Sequence, residues 1–107
     1  IEDLAAKYTL DACFEWKRSA EPFVTNPGSM TQKLTQAIAD VSGVRPELST
    51  GGGTSDARFI SSISRETVEF GPINATIHSV NECVSVNELK ALAEIYYRTA
   101  KAYLENF

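Results

Sequence analysis

The stretch "SMTQKLTQAIADVSGVRPELST", residues 29–50, decides the fold expected for this chain, because it joins a helical pattern to a strand-like one. Its apolar residues recur at helical spacing, which predicts an amphipathic helix: Met30, Leu34, Ile38 and Val41. Gly43 stands where a left-handed helix C-cap belongs, and residues 44–50 follow as a short strand. Helix and strand are therefore expected to alternate from residue 29 onward.

The flanking segments extend this alternation. Residues 1–8 have helical spacing, whereas "TLDACFEWK" at 9–17 alternates apolar and polar residues like a half-buried strand. Prolines and a glycine in 20–29 predict a hinge, and "ETVEF" at 66–70 predicts a further strand.

The last helix begins at "SVNE", where Ser85 and Glu88 have the spacing of a capping box. A short helical turn is expected after Thr54. The resulting order of helix, strand, hinge, helix, strand, helix, strand, loop and helix predicts an α/β fold, with central strands covered by helices.

Composition excludes several function classes. The 107 residues are 43% hydrophobic and 22% charged, the balance of one soluble domain or less. The net charge is −4 and the ten basic residues are scattered, which argues against a nucleic-acid partner. No apolar run is long enough to span a membrane and residues 1–10 do not resemble a signal peptide, so a cytoplasmic location is expected, with Cys13 and Cys83 reduced. The start at Ile1, inside a helical pattern, leads us to expect a piece of a longer protein.

The glycine-rich stretch "STGGGTSDARFISS", residues 49–62, is the first candidate site. Glycines allow backbone N–H groups to approach a ligand, and a helix starting near Thr54 would favour an anion. The stretch lacks the lysine of a P-loop and the second half of a dinucleotide fingerprint. Arg58 lies four residues after Thr54 and suits a carboxylate, although a surface ion pair is the alternative.

The second candidate site is "FGPINATIHSVNE", residues 70–82, which contains the single histidine, His78. A polar loop with Asn74, Asn81 and Glu82 makes a ligand or base role plausible for His78, and a surface or hydrogen-bonded histidine is the alternative. One histidine does not make a catalytic zinc site, which takes three protein ligands. From its residues alone, the chain holds half a site for a carboxylate-bearing molecule.

Four stretches together resemble the C-terminal part of the succinyl-diaminopimelate desuccinylase family of dizinc amidohydrolases. They are "FEWKRSAEPFVT" at 14–25, "RPELSTGGGTSDARFI" at 45–60, "VEFGPINATIHSVNECVSVNEL" at 68–89 and "EIYYRTAKAYL" at 94–104. The resemblance implies that residues 1–22 are the last helix and strand of an inserted α+β dimerisation or lid domain. It also implies that residues 23–107 close a three-layer catalytic domain, a mixed sheet covered by helices.

The resemblance also implies a role for particular residues. His78 would bind one of two zinc ions per full-length subunit, with cobalt as a possible substitute. Carboxylate-bearing substrate would contact a set of loop residues, namely Gly53, Thr54, Ser55, Arg58 and Asn74. The other metal ligands and the catalytic glutamate would lie outside this chain, which contains no catalytic residue and would be inactive alone.

The implied reaction is the cleavage of N-succinyl-LL-2,6-diaminopimelate, a dicarboxylate substrate, to succinate and LL-2,6-diaminopimelate in lysine biosynthesis, by a homodimer. Gly51, Ala57 and Ala20 depart from the family pattern, each as one small residue for another.

Three alternatives remain from the sequence. One is a related deacylase resembling acetylornithine deacetylase, although "TSDARF" and "NATIHSVNE" favour the desuccinylase. Another is a non-catalytic module that self-associates through the exposed edge of residues 9–17. The third is a zinc site within this chain, formed by His78 with Cys83 or Glu82.

Overall fold

The computed structural model describes residues 1–51, 53 and 55–105. Within them lie four helices: α1 (Glu2–Lys7), α2 (Ser29–Ser42), α3 (Ala57–Ile60) and α4 (Val86–Leu104). These positions confirm the helices predicted from periodicity and the short turn expected after residue 54. None of the four is both long and apolar enough to cross a bilayer in the part of the chain described.

The core lies where α2 packs on α4. Four apolar side chains are buried there, namely Leu34, Ala37, Ile38 and Ile95. Val68 and Phe70, from the segment that precedes the 71–83 loop, pack against this cluster while remaining half-buried. Burial of a large aliphatic side chain contributes about 1.5–3 kcal/mol, so this small contact holds the two long helices together.

The rest of the molecule extends away from that core. The radius of gyration is 19.5 Å, whereas a compact chain of this length has a radius of about 13 Å. No residue of α1 is buried, and Trp16, in the following segment, is 74% exposed. The N-terminal residues therefore gain little stability from the α2–α4 core.

The sequence predicted how α2 ends and how α4 begins, and the structure tests both predictions. Gly43 has φ 73° and its N–H donates to the Ala39 carbonyl at 2.9 Å, which confirms the left-handed cap that ends α2. Ser85 precedes α4 with extended backbone, as expected. Its hydroxyl makes no hydrogen bond to the helix end, so the predicted capping box is wrong.

The predicted α/β class, with a mixed sheet covered by helices, is wrong for the described residues, which contain no strand. Segments 9–17, 44–50 and 66–70 were each expected to be strands and are irregular instead. Alternation of apolar and polar residues indicates which side of a segment is buried, but a strand also needs backbone hydrogen bonds to a neighbour. Two side-chain acceptors hold segment 66–70 in place of a ladder: the Glu66 carboxylate accepts the Gly28 N–H, and Thr25 Oγ1 accepts the Thr67 N–H.

The carboxylate of Glu66 caps the start of α2 from 35 to 38 residues away. Its Oε1 accepts the Gly28 N–H at 2.8 Å, the Thr31 N–H at 2.8 Å and the Thr31 hydroxyl at 2.5 Å. Its Oε2 accepts the Met30 N–H at 3.1 Å. The first N–H groups of a helix have no partner within the helix, and a negative charge there is favourable. Glu66 thus satisfies three backbone donors and fixes segment 66–70 to α2.

The same hydrogen bonds change the pKa of the Glu66 carboxyl. Burial raises the pKa of its carboxyl, but the hydrogen bonds from Thr31, Gly28 and Met30 together lower it by more, so the pKa lies below the ordinary glutamate value. The folded state therefore favours the charged carboxylate.

Replacement of Gly28 tests how closely the Glu66 carboxylate lies against the start of α2. A Cβ at Gly28 would lie 2.7 Å from Glu66 Oε2, whereas a Cβ at Gly71 would meet nothing within 4 Å. We expect Gly28→Ala to push the carboxylate off the helix end and to lower the free energy of unfolding by about 1–2 kcal/mol. Urea unfolding of Gly28→Ala beside the control Gly71→Ala measures this, and equal stability of the two variants would contradict it.

Removal of the Glu66 charge gives a pH-dependent result. Because the pKa is lower in the folded state, the cap contributes fully above about pH 4.3 and its contribution is lost as the pH falls through the folded value. We expect Glu66→Gln to lower the free energy of unfolding at pH 7 by about 1–2 kcal/mol, with a smaller difference under acid. Unfolding curves at several pH values, with exposed Glu69→Gln as control, measure it; a deficit independent of pH would refute the charged cap.

Candidate functional site

An open cavity of about 720 Å³ lies between the hinge, the glycine-rich loop and segment 67–69. The hinge contributes residues 19–25 and Pro27, and the loop contributes Gly51, Gly53 and Ser55. Arg58, from α3, also lines the cavity. The structure therefore brings together three of the predicted substrate-contacting residues, Gly53, Ser55 and Arg58.

The glycine-rich loop is shaped by its own serine side chains. Ser49 Oγ accepts the Gly51 N–H at 2.9 Å, and Ser55 Oγ accepts the Ala57 N–H at 3.1 Å. A Cβ at Gly51 would lie 3.1 Å from Ser49 Oγ, so glycine at 51 permits this turn, whereas Gly53 is exposed with open space around it. Thr54, which is also predicted to contact the substrate, lies outside the described residues. The following helix, α3, begins at Ala57 and has four residues, too few to supply the positive helix end expected from the sequence.

Arg58 is the cation of this cavity. Its guanidinium lies 4.8 Å from the centre of the Phe59 ring, a stacking contact that holds the side chain in place. Its Nε is buried and has no hydrogen-bond partner among the described residues. A half-buried guanidinium with a free donor is suited to an incoming carboxylate.

Three acidic residues line the same cavity, Glu21, Glu47 and Glu69, and all three are exposed. Glu21 is paired with Arg18 at 2.7 Å on the outer surface. The cavity therefore combines one positive group with an excess of negative ones. A ligand that carries only negative charge would be repelled by part of this lining.

Asn74 and His78 do not line this cavity. Both are exposed and lie in the 71–83 loop, where the Asn74 carbonyl accepts the Ile77 N–H at 3.0 Å. His78 has φ 60°, a left-handed conformation that costs a non-glycine residue about 1 kcal/mol, and Asn81 has φ 64°. The loop is therefore held in a specific, strained shape that presents the imidazole to the surface.

Thr76 closes this loop. Its Oγ1 accepts the Cys83 N–H at 3.0 Å and donates to the Cys83 carbonyl at 3.0 Å, so one side chain joins both ends of the turn that contains His78. Sequence reasoning singled out His78 and missed Thr76. A threonine hydroxyl that bonds backbone seven residues away leaves no local sequence pattern.

The described residues contain no group of three or more histidine, cysteine or acidic side chains that could hold a metal ion. His78 offers one exposed imidazole, and Cys83 is a free, exposed thiol. The described residues by themselves thus do not fit a metal centre, which argues against the zinc site of His78 with Cys83 or Glu82 considered from the sequence.

Loss of the Thr76 hydroxyl is expected to release the Cys83 amide. In Thr76→Val both hydrogen bonds disappear, whereas Thr76→Ser keeps the hydroxyl. We expect the Cys83 amide hydrogen to exchange at least about tenfold faster in Thr76→Val than in the parent, as lost protection of about 1.4 kcal/mol would give. Amide exchange followed by NMR measures it; unchanged protection in the valine variant would show that the hydroxyl does not close the loop.

Comparison with known proteins assigns the chain to a family. The sequence profile of "Peptidase family M20/M25/M40" matches residues 9–102. A succinyl-diaminopimelate desuccinylase of Aromatoleum aromaticum is 50% identical over 98 residues, which make up 92% of this chain and 26% of that protein. One of Leptothrix cholodnii is 49% identical over 104 residues, 97% of this chain and 27% of that protein.

The chain thus spans about a quarter of the length of these curated relatives. The matched region includes the cavity loop with Arg58 and the loop with His78. Since the profile covers nearly the whole chain, this protein belongs to peptidase family M20/M25/M40.

Proposed function

We propose that this chain is part of a longer amide hydrolase that cleaves N-succinyl-LL-2,6-diaminopimelate to succinate and LL-2,6-diaminopimelate. The observation that carries the proposal is the 50% identity over 98 residues to a protein named for that substrate. Support from the structure is the cavity lined by Arg58, whose free guanidinium donor suits a substrate that bears several carboxylates.

The proposed role of this chain within the longer enzyme is substrate binding. Arg58, held by Phe59, binds a carboxylate, while Gly53 and Ser55 form the adjacent wall and Thr54 completes the predicted loop. Asn74 contacts substrate from the second loop. Binding of remote carboxylates orients the amide bond for attack, which is how a non-reacting part of a substrate raises the rate.

The proposed metal centre is shared with the remainder of the longer protein. His78 would supply one ligand to a two-zinc centre, which cobalt could replace, because its imidazole is exposed on a loop closed by Thr76. Such a centre polarises an amide carbonyl and lowers the pKa of bound water. The other ligands and the catalytic glutamate would lie outside this chain, so we propose that the chain alone is inactive.

The proposed division into domains falls at residue 22. Every buried residue of the described chain lies between 31 and 99, and residues 1–18 are exposed except for half-buried Ala5. Residues 1–22 would belong to a dimerisation or lid unit and residues 23–107 to the catalytic unit. A homodimer would cover the exposed apolar side chains near Trp16, which is also the surface through which the chain alone would self-associate. The proposed location is the cytoplasm.

The role of Arg58 is tested in the longer enzyme. Arg58→Lys keeps the charge but loses the planar pair of donors, and the exposed Arg65, which does not line the cavity, provides a matched control as Arg65→Lys. We expect kcat/KM for N-succinyl-LL-2,6-diaminopimelate to fall by about 100-fold in Arg58→Lys, the size of a lost charged hydrogen bond, and to stay near the parent value in Arg65→Lys.

Two results would count against the proposal. A parent enzyme that does not hydrolyse this substrate would refute the function. A hydrolysing parent whose Arg58→Lys variant keeps full kcat/KM would refute the role of Arg58 alone.

A further inference from the structure

Two buried side-chain polar atoms in the described residues lack a hydrogen-bond partner, Arg58 Nε and Thr67 Oγ1. Both residues line the same cavity, although they are separated by nine positions in sequence. Buried polar atoms in folded proteins almost always have partners, so two such atoms in one cavity indicate a ligand that supplies acceptors to both.

The position of Thr67 is well fixed. Its backbone N–H donates to Thr25 Oγ1 at 3.3 Å, and the preceding residue, Glu66, binds the start of α2. The neighbouring hydroxyls of Ser49 and Ser55 are already engaged by the glycine-rich loop. The Thr67 hydroxyl has no such partner among the described residues, and it is buried, so its unused donor is the one left for a ligand.

Thr67 also borders a second cavity of about 430 Å³ between α2 and α4. That cavity is lined mainly by apolar side chains, such as Leu34, Val68 and Phe70. A polar ligand would leave its own groups unpaired there. The first cavity, in contrast, is also lined by Arg58 and by Thr25, whose Oγ1 accepts the Thr67 N–H.

We propose that Thr67 is a further substrate-binding residue, whose hydroxyl donates a hydrogen bond to the carboxylate that Arg58 binds. This inference rests on the proposed function. It adds a substrate-binding residue, Thr67, and states which half of the substrate binds beside Arg58. A carboxylate has two oxygens with several lone pairs, so it accepts from a guanidinium and a hydroxyl at once.

The charges around the cavity select which half binds there. Besides Arg58, the lining includes Glu47 and Glu69, and also Glu21, whose carboxylate is paired with Arg18. Succinate, a dianion, would meet more negative than positive charge. The amino acid end of diaminopimelate carries a carboxylate for Arg58 and Thr67 together with an ammonium group that the glutamates attract. The Thr67 subsite therefore takes the diaminopimelate half.

Calorimetric binding of each product to the longer enzyme tests this choice. In Thr67→Val, which keeps the side-chain shape, LL-2,6-diaminopimelate is expected to bind at least tenfold more weakly, while succinate binds as in the parent. Thr67→Ser, which keeps the hydroxyl, is expected to bind diaminopimelate within threefold of the parent. Thr35→Val is the matched control, since Thr35 is half-buried in α2 and lines neither cavity.

Thermal unfolding of each variant is measured as well. Because the Thr67 hydroxyl makes no hydrogen bond within the described residues, its removal is expected to leave Tm unchanged. Thr67→Ala replaces the valine variant if that one does not fold. Diaminopimelate binding that is unchanged in Thr67→Val overturns the inference, as does an equal loss for both products. If the parent hydrolyses the succinylated substrate, such a result refutes the Thr67 subsite and leaves the proposed function intact. A parent that does not hydrolyse it refutes both.

Discussion

The hydrogen bonds between Glu66 and the first turn of α2 are the constraint on which the rest of this structure depends. The carboxylate satisfies three backbone donors at the helix start and one hydroxyl. Phe70 lies four residues after Glu66, and its carbonyl accepts a hydrogen bond from the Tyr96 hydroxyl of α4. Segment 66–70 is thereby attached to α2 at one end and to α4 at the other. With few buried apolar residues, a chain of this kind relies on such directional contacts to fix irregular backbone.

This attachment explains how an irregular segment can organise a binding site. Glu66 points at the helix, and its neighbour Thr67 lines the cavity with Arg58. Beyond Phe70 the chain enters the loop that Thr76 closes around His78. The two candidate loops thus share one support, yet the structure places His78 outside the Arg58 cavity. We infer that the chain provides a binding half for substrate and that the chemistry requires residues from elsewhere in the protein.

The sequence predicted those features that depend on local spacing. The apolar residues Leu34 and Ile38 predicted α2 and its buried face, and Gly43 predicted where α2 ends. The cap of α2 could not be predicted, because Glu66 lies 35 to 38 residues away and capping rules reach only a few residues. The same rules predicted a capping box at Ser85 that does not form. The sheet was predicted wrongly because a strand-like pattern, such as the alternation in 9–17, says nothing about a pairing partner. Arg58 was selected for its chemistry, whereas Thr67 was recognised only in the structure, where its buried hydroxyl has no partner among the described residues and the residue lines the same cavity.

One measurement tests most directly the claim that this chain holds part of a site completed by other residues. Hydrolysis of N-succinyl-LL-2,6-diaminopimelate, with zinc added, is followed for this chain alone, for the remainder of the longer polypeptide alone, and for the two mixed. Activity that arises only in the mixture is the predicted result. Hydrolysis by this chain alone, abolished by Arg58→Lys, would contradict the account, because it would require a complete catalytic centre among these 107 residues.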